Sequence, residues 1–183
     1  MGSTTAYDAL LVHPDRAHRL HVYPDEVLRT KSAPVVSMDE GVRSLVAEMF
    51  QIMRDEGGIG LAAPQAGRSV RIFVTEEHEG QPARAFINPT LVSLTGAVVS
   101  EEEGCLSLPG IHVKVRRPPV ATIRAMDEHG TVFELADDAL LARCWQHEID
   151  HLDGVLIIDR MGPMDKLATR KALRALQRGE VEE

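Results

Sequence analysis

Gln146-His147-Glu148-Ile149-Asp150-His151-Leu152-Asp153-Gly154 is the stretch on which the reading of this chain turns. His147 and His151 are four residues apart, so on a helix they lie on one face, one turn apart. Two imidazoles so placed can grip one metal ion, and Glu148 between them can reach a water on that ion. The flanks suit a helix: Asp137 or Asp138 is a good cap and Gly154 a good stop. At 3.6 residues per turn, Leu140, Cys144, His147, Glu148 and His151 share one stripe, with Leu141, Trp145, Ile149 and Leu152 as an apolar flank beside it. The histidines therefore point inward. Arg143, Gln146, Asp150 and Asp153 take the remaining side and are expected to meet water or polar partners. Buried imidazoles and a buried carboxylate are costly without partners. A metal is one such partner, and a hydrogen-bonded core pair of histidines is the alternative.

A catalytic tetrahedral site takes three protein ligands and keeps one position open. The elongated protease form of this motif would place a third histidine where Ile157 stands, and Glu180, Glu182 and Glu183 lie in a polar tail. Cys105 is the stronger candidate. It sits in Glu103-Gly104-Cys105-Leu106-Ser107, between two strands, and a thiolate is a strong ligand for zinc or ferrous iron. Cys144 is its rival on the helix stripe. Core packing is the better account of Cys144, because free cysteine is among the most buried residue types.

The rest of the chain frames that site. At 183 residues, with 44% hydrophobic and 26% charged side chains, it reads as one ordinary globular domain. A net charge of -8 argues against a general nucleic-acid binder. Two cysteines are too few for a disulfide scaffold and fit a reducing compartment. No apolar run is long enough to span a membrane. Residues 1–18 have no apolar core and read as a loosely held extension rather than a signal peptide, which leaves 19–183 as the domain.

Within the domain, Ser37 is expected to cap an amphipathic helix over about 38–55, its stripe running Val42, Leu45, Val46, Met49, Phe50 and Met53. Gly58-Ile59-Gly60-Leu61-Ala62-Ala63-Pro64-Gln65-Ala66-Gly67 follows as a loop whose small residues admit close backbone approach. It is not a phosphate-binding loop, since no Gly-Lys-Ser/Thr ends it. Strands are expected over 70–75, 83–88, 91–100, 111–116, 119–126 and 131–135, with Asp127-Glu128-His129-Gly130 as a hairpin turn. A short buried strand over 155–158 and a last helix over 164–178, carrying Leu167, Leu173 and Leu176 on one side, complete the chain. The fold class is α+β: antiparallel sheets around a central metal-binding helix, with one helix in the N-terminal half and another at the C-terminus.

Three of these segments together resemble the peptide deformylases: Gly58-Ile59-Gly60-Leu61-Ala62-Ala63-Pro64-Gln65, then Glu103-Gly104-Cys105-Leu106-Ser107, then the stretch from Gln146 to Gly154. They occur in family order, and the likeness extends from about His21 to Gly179. It implies a metal-dependent hydrolase that removes the formyl group from the N-terminal formyl-methionine of nascent polypeptides and releases formate. It implies one divalent ion held by Cys105, His147 and His151, natively ferrous iron, with zinc or nickel able to occupy the site. Glu148 matches the general acid/base acting on the metal-bound water. The Gln65 side-chain amide and the Leu106 backbone N–H match the donors to the formyl oxygen. His112 stands where many members carry arginine, and Arg143 where an apolar pocket residue is common.

An unbranched apolar methionine calls for an apolar pocket close to the metal. Ile59, Leu140 and Cys144 are its expected walls, with the ring of His147. The substrate backbone is expected to lie extended beside Ile59, Gly60 and Gly104, like an added strand. Lys166, Arg170, Lys171, Arg174 and Arg178 put a basic stripe on the last helix, and a ribosome contact there is one expectation; a solvated helix face is the other. The absence of an Arg/Ser-rich leader favours a bacterial cytoplasm over an organelle.

Overall fold

Asp39, rather than Ser37, caps the first helix, α1, Glu40–Asp55: its Oδ1 accepts from Val42 N–H at 3.1 Å, and the Ser37 hydroxyl instead donates to the other carboxylate oxygen at 3.0 Å. The carboxylate also complements the positive end of the helix dipole. In the computed structural model, which describes residues 20–180, the extension expected over 1–18 lies outside the described residues. The strands that follow are β1 (Gly60–Ala62), β2 (Ile72–Thr75), β3 (Arg84–Thr95), β4 (Val99–Gly104), β5 (His112–Arg117), β6 (Val120–Met126) and β7 (Val132–Asp137). Among the described residues they form a five-stranded antiparallel sheet in the order β1-β2-β3-β6-β7 and a two-stranded sheet of β4 and β5.

Two sequence expectations merge in β3. Asn88-Pro89 does not end a strand; Asn88 takes a positive φ of 50° and the pairing with β6 slips there, as at a bulge. The Asn88 side chain then bonds the Val35 backbone in both directions, at 2.8 Å each. The Gly-rich stretch is likewise not all loop, since Gly60 to Ala62 pairs with Phe73 to Thr75 and forms the edge of the large sheet. Asp127 makes the expected hairpin, accepting from His129 and Thr131 N–H at 2.9 and 2.8 Å.

β2 and the first half of β3, Ala85 to Ile87, are buried on both faces, which is why they read as nearly unbroken apolar runs. Ile72, Val74, Ala85 and Ile87 pack against the apolar stripe of α1. Phe73 and Phe86, stacked at 4.4 Å, face the other way, with Trp145, Leu141, Ile149 and Leu152 of the second helix, α2, Leu140–Leu152. The sheet is thus sandwiched between the two helices. Asp137 caps α2 from upstream, accepting from Ala139 and Ala142 N–H at 2.8 and 3.1 Å. Gly154 ends it at φ 75°, and a Cβ there would lie 2.5 Å from the Arg29 carbonyl oxygen.

The segment 155–158 is not a strand. Ile157–Arg160 forms a one-turn helix, α3, held by Asp159, which accepts from Leu156 N–H at 2.8 Å. A four-residue apolar run carries no periodicity that could decide between strand and helix. The last helix, α4, spans Pro163–Gln177. Leu173 and Leu176 pack with Leu156, Ile157, Val113 and Val115 of a third cluster, but Leu167 is 69% exposed, so the three leucines do not share a buried side.

Candidate metal centre and cleft

The one-turn spacing on α2 does put both imidazoles on one face. His147 and His151 turn their Nε2 atoms toward each other at 3.2 Å, and Cys105 Sγ lies 3.2 Å from His151 Nε2. All three donor atoms fall within 4.8 Å of one another, and Cys144 is not among them. Tetrahedral coordination at typical zinc bond lengths separates two nitrogens by about 3.3 Å and a nitrogen from a sulfur by about 3.6 Å. The donor atoms therefore already stand close to the spacing one ion requires. Cys105 comes from the turn after β4, so the small sheet and the central helix meet at this point.

The electrostatics agree. Burial pushes both imidazoles toward the neutral form. For His147 this is outweighed by its bonds to Cys105 and Glu103, which hold its pKa well above the ordinary histidine value. His151 is held well below it by burial, then by the neighbouring charge on His147. His151 Nδ1 and Glu148 Oε2 are buried without a protein hydrogen-bond partner. Burial raises Glu148 to about 7, against the opposing charges of His147 and Arg117, which suits a group that must accept and return a proton near neutral pH.

Gln65 is oriented by its neighbours. Its Oε1 accepts from Ala62 N–H at 2.9 Å, so the amide nitrogen must face the site, where it donates to Ser107 Oγ at 3.1 Å and lies 3.8 Å from Cys105 Sγ. Ser107 in turn donates to the His21 carbonyl at 2.7 Å. A cleft of about 490 Å³ opens over these groups, and Ile59, Gly60, Gln65, Gly104, Cys105, Leu106, Leu140, Cys144, His147 and Glu148 all line it. Of the residues expected at the site, His151 alone sits behind the lining. His112 and Arg143 also face the cleft.

Gly60 has a reason other than the one expected. A Cβ there would lie 2.5 Å from Glu148 Oε1 and 2.7 Å from Cys144 Sγ. The glycine makes room for the protein's own carboxylate, whatever it also admits. Gly60→Ala is therefore expected to push Glu148 off its position by close to an ångström and to lower kcat roughly 10²-fold. Steady-state kinetics on a formyl-methionyl peptide, with metal content measured in parallel, checks this.

A buried ionic cluster behind the candidate metal ligands was not expected. Glu103 accepts from Arg117 Nε and Nη2 at 2.6 and 2.9 Å and from Arg143 Nη1 at 2.6 Å, and lies 3.2 Å from His147 Nδ1. Arg117 also donates to Asp150 at 2.9 Å, and Asp150 accepts a second fork from Arg160. On the polar side of α2, Arg143 and Asp150 thus meet buried ionic partners, Gln146 donates to the Pro118 and Ala142 carbonyls, and Asp153 pairs with Arg71 at the surface. Glu103 holds the orientation of the His147 ring, the place a carboxylate takes behind a histidine that ligates a metal. A signal was present in the sequence: Arg117 continues the inward phase of Val113 and Val115, and Glu103 pairs with Val113 across the small sheet.

A cysteine and two histidines gathered at one point, a buried carboxylate beside them, and an oriented amide in a partly apolar cleft define the class as a metal-dependent hydrolase. The family model described as polypeptide deformylase matches residues 17–167. The chain belongs to this family. It is 47% identical over 135 residues to the peptide deformylase of Treponema pallidum, covering 73% of this chain and 82% of that protein. It is 42% identical over 170 residues to that of Pelodictyon phaeoclathratiforme, covering 89% of each. Among solved structures it is similar to Plasmodium falciparum peptide deformylase in complex with inhibitor, with TM-score 0.81 and 39% identity, covering 87% of this chain and 99% of that one.

Proposed function

We propose that residues 19–183 form one catalytic unit that hydrolyses the formyl amide of N-terminal formyl-methionine on nascent polypeptides, yielding formate and a free amine. The observation that carries this is the convergence of Cys105, His147 and His151 beside Glu148 in the cleft. Cys105, His147 and His151 would hold a divalent ion, which would supply Lewis acidity and could bring the pKa of a bound water from about 15.7 toward roughly 7. Ferrous iron is the native ion we propose, and the same donors suit zinc and nickel. Glu148 takes a proton from the attacking water and gives it to the departing amine. Negative charge develops on the formyl oxygen, and the Gln65 amide and Leu106 N–H are the donors proposed to stabilise it. Ile59, Leu140, Cys144 and the His147 ring hold the methionine side chain, and the peptide runs beside Gly60 and Gly104, adding to the open edge of β1.

The test is direct. Protein purified without oxygen is expected to hold one iron per chain and to release formate from formyl-Met-Ala-Ser. Cys105→Ala is expected to lose both. A Cys105→Ala protein that keeps its metal and its activity would overturn the assignment.

We further propose that α4 contacts the ribosome and that the protein works in the bacterial cytoplasm. Arg170, Lys171, Arg174 and Arg178 line a shallow surface recess on this helix, and among the described residues no helix is long and apolar enough to cross a membrane. Reversing Arg170, Lys171 and Arg174 to glutamate leaves the buried Leu176 in place. It is expected to weaken cosedimentation with ribosomes on the order of 10-fold and to flatten its salt dependence. Unchanged binding would remove the idea.

A further inference from the structure

Arg143 stands at a junction that the reaction as described does not use. Its Nη1 donates to Glu103 Oε1 at 2.6 Å and to the Val115 carbonyl at 3.2 Å, and its Nε faces Glu101 Oε2 at 2.9 Å. It is buried, whereas the Glu101 side chain is 61% exposed. Glu103 reaches His147 Nδ1 through its other oxygen, Oε2. A line of alternating charge therefore runs from solvent to the metal centre: Glu101, Arg143, Glu103, His147. Arg117 grips Glu103 with two bonds of its own, so the position of the carboxylate does not depend on Arg143.

We propose that Arg143 is a positioning residue that sets the donor strength of His147 by drawing charge from Glu103. A carboxylate behind a ligating histidine raises the basicity of the ring. A guanidinium on that carboxylate takes up part of its negative charge and makes it a weaker acceptor. Glu101 opposes this from outside by occupying the Nε side of Arg143. Each residue along the line thus has an effect of alternating sign on how tightly the ion is held. Removing Glu103 weakens the site, removing Arg143 tightens it, and removing Glu101 weakens it slightly.

This rests on the proposed metal site, so the test uses the metal alone. Cobalt(II) is bound to the metal-stripped full-length protein, and its affinity is read by chelator competition and its ligand-field bands by absorption. Glu103→Gln is expected to bind cobalt roughly 10–100-fold more weakly. Arg143→Leu is expected to bind it several-fold more tightly, with a shifted ligand-field spectrum, and Arg143→Lys is expected to return toward wild type. Glu101→Gln, a change at an exposed side chain, is expected to weaken binding about two- to threefold, a small fraction of the loss at Glu103, and it keeps the test available should Arg143→Leu not fold. Arg143→Leu or Glu101→Gln moving opposite to these signs, or not at all, would overturn the proposal. Failure of the wild-type protein to bind cobalt through a thiolate would instead overturn the metal site itself.

Discussion

Glu148→Gln is expected to lower kcat by about 10²–10⁴-fold while the protein keeps its metal, because it removes the group that carries the proton and leaves the ligands in place. The neighbouring geometry favours a clean result. Glu148 does not belong to the donor cluster, and its Oε2 has no protein hydrogen bond to lose. Formate release at saturating formyl-Met-Ala-Ser, with metal content measured on the same sample, reads it; full retained activity would sink the mechanism. The same substitution has a stability signature in the metal-stripped protein. Burial raises Glu148 to about 7 from an ordinary value of 4.5. Below pH 4.5 the carboxyl is protonated in both folded and unfolded chains and burying it costs nothing extra. As pH rises from there to about 7 the unfolded chain releases the proton first, so stability falls, and above about 7 the loss is complete. That loss is about 3 kcal/mol. Glu148→Gln should therefore be the more stable protein at pH 8 and equal to wild type near pH 4, as denaturant titrations at the two values would read.

Arg117→Met is expected to destabilise the fold by about 3–5 kcal/mol, because it leaves Glu103 and Asp150 buried with fewer counter-charges. For a chain of this size that is a fall in Tm of roughly 10 °C. Glu103 adds a dependence on pH of the opposite sign to that of Glu148. Burial would raise its pKa, but the Arg117 fork and His147 outweigh this and hold it well below the usual carboxylate range. Its contribution is therefore present in full above about pH 4.5, the unfolded value, and fades as pH falls toward the folded one. Wild type should lose stability on acidification more steeply than the variant. Equal unfolding free energies at pH 7 would show that Arg143 and Arg160 suffice without Arg117.

How much of this was legible follows from where the information lies. The convergence of His147 and His151 was readable because a helix turns a spacing of four into a shared face, and Cys105 was a candidate because its thiolate is the strong donor in a turn between strands. The sandwich around β2 was less so: Ile72 to Thr75 reads as a strand, but nothing local says that Phe73 and Val74 serve different helices. Residues 155–158 were misread because four apolar residues suit either structure. The Glu103, Arg117 and Asp150 cluster escaped for a different reason. Glu101-Glu102-Glu103 looks like a wet charged run, and partners 14 and 33 residues away from Arg117 meet only once the small sheet has packed on α2. Only the inward phase of Arg117 marked it, a charge where the alternation of Val113 and Val115 called for an apolar residue.

The two-stranded sheet has a consequence of its own. A hairpin of two strands is marginal by itself, and β4–β5 is joined to the rest by apolar packing, by the Arg117–Asp150 and Arg143–Glu103 ion pairs, and by Cys105 opposite His147 and His151. An ion shared by those three residues would rivet the hairpin to the helix, closing a loop from Cys105 to His147 much as a covalent cross-link does. Stripping the ion should loosen the hairpin before the five-stranded sheet. Amide exchange would then quicken first in β4 and β5, so that the part of the molecule that completes the site is also the part that the site holds down.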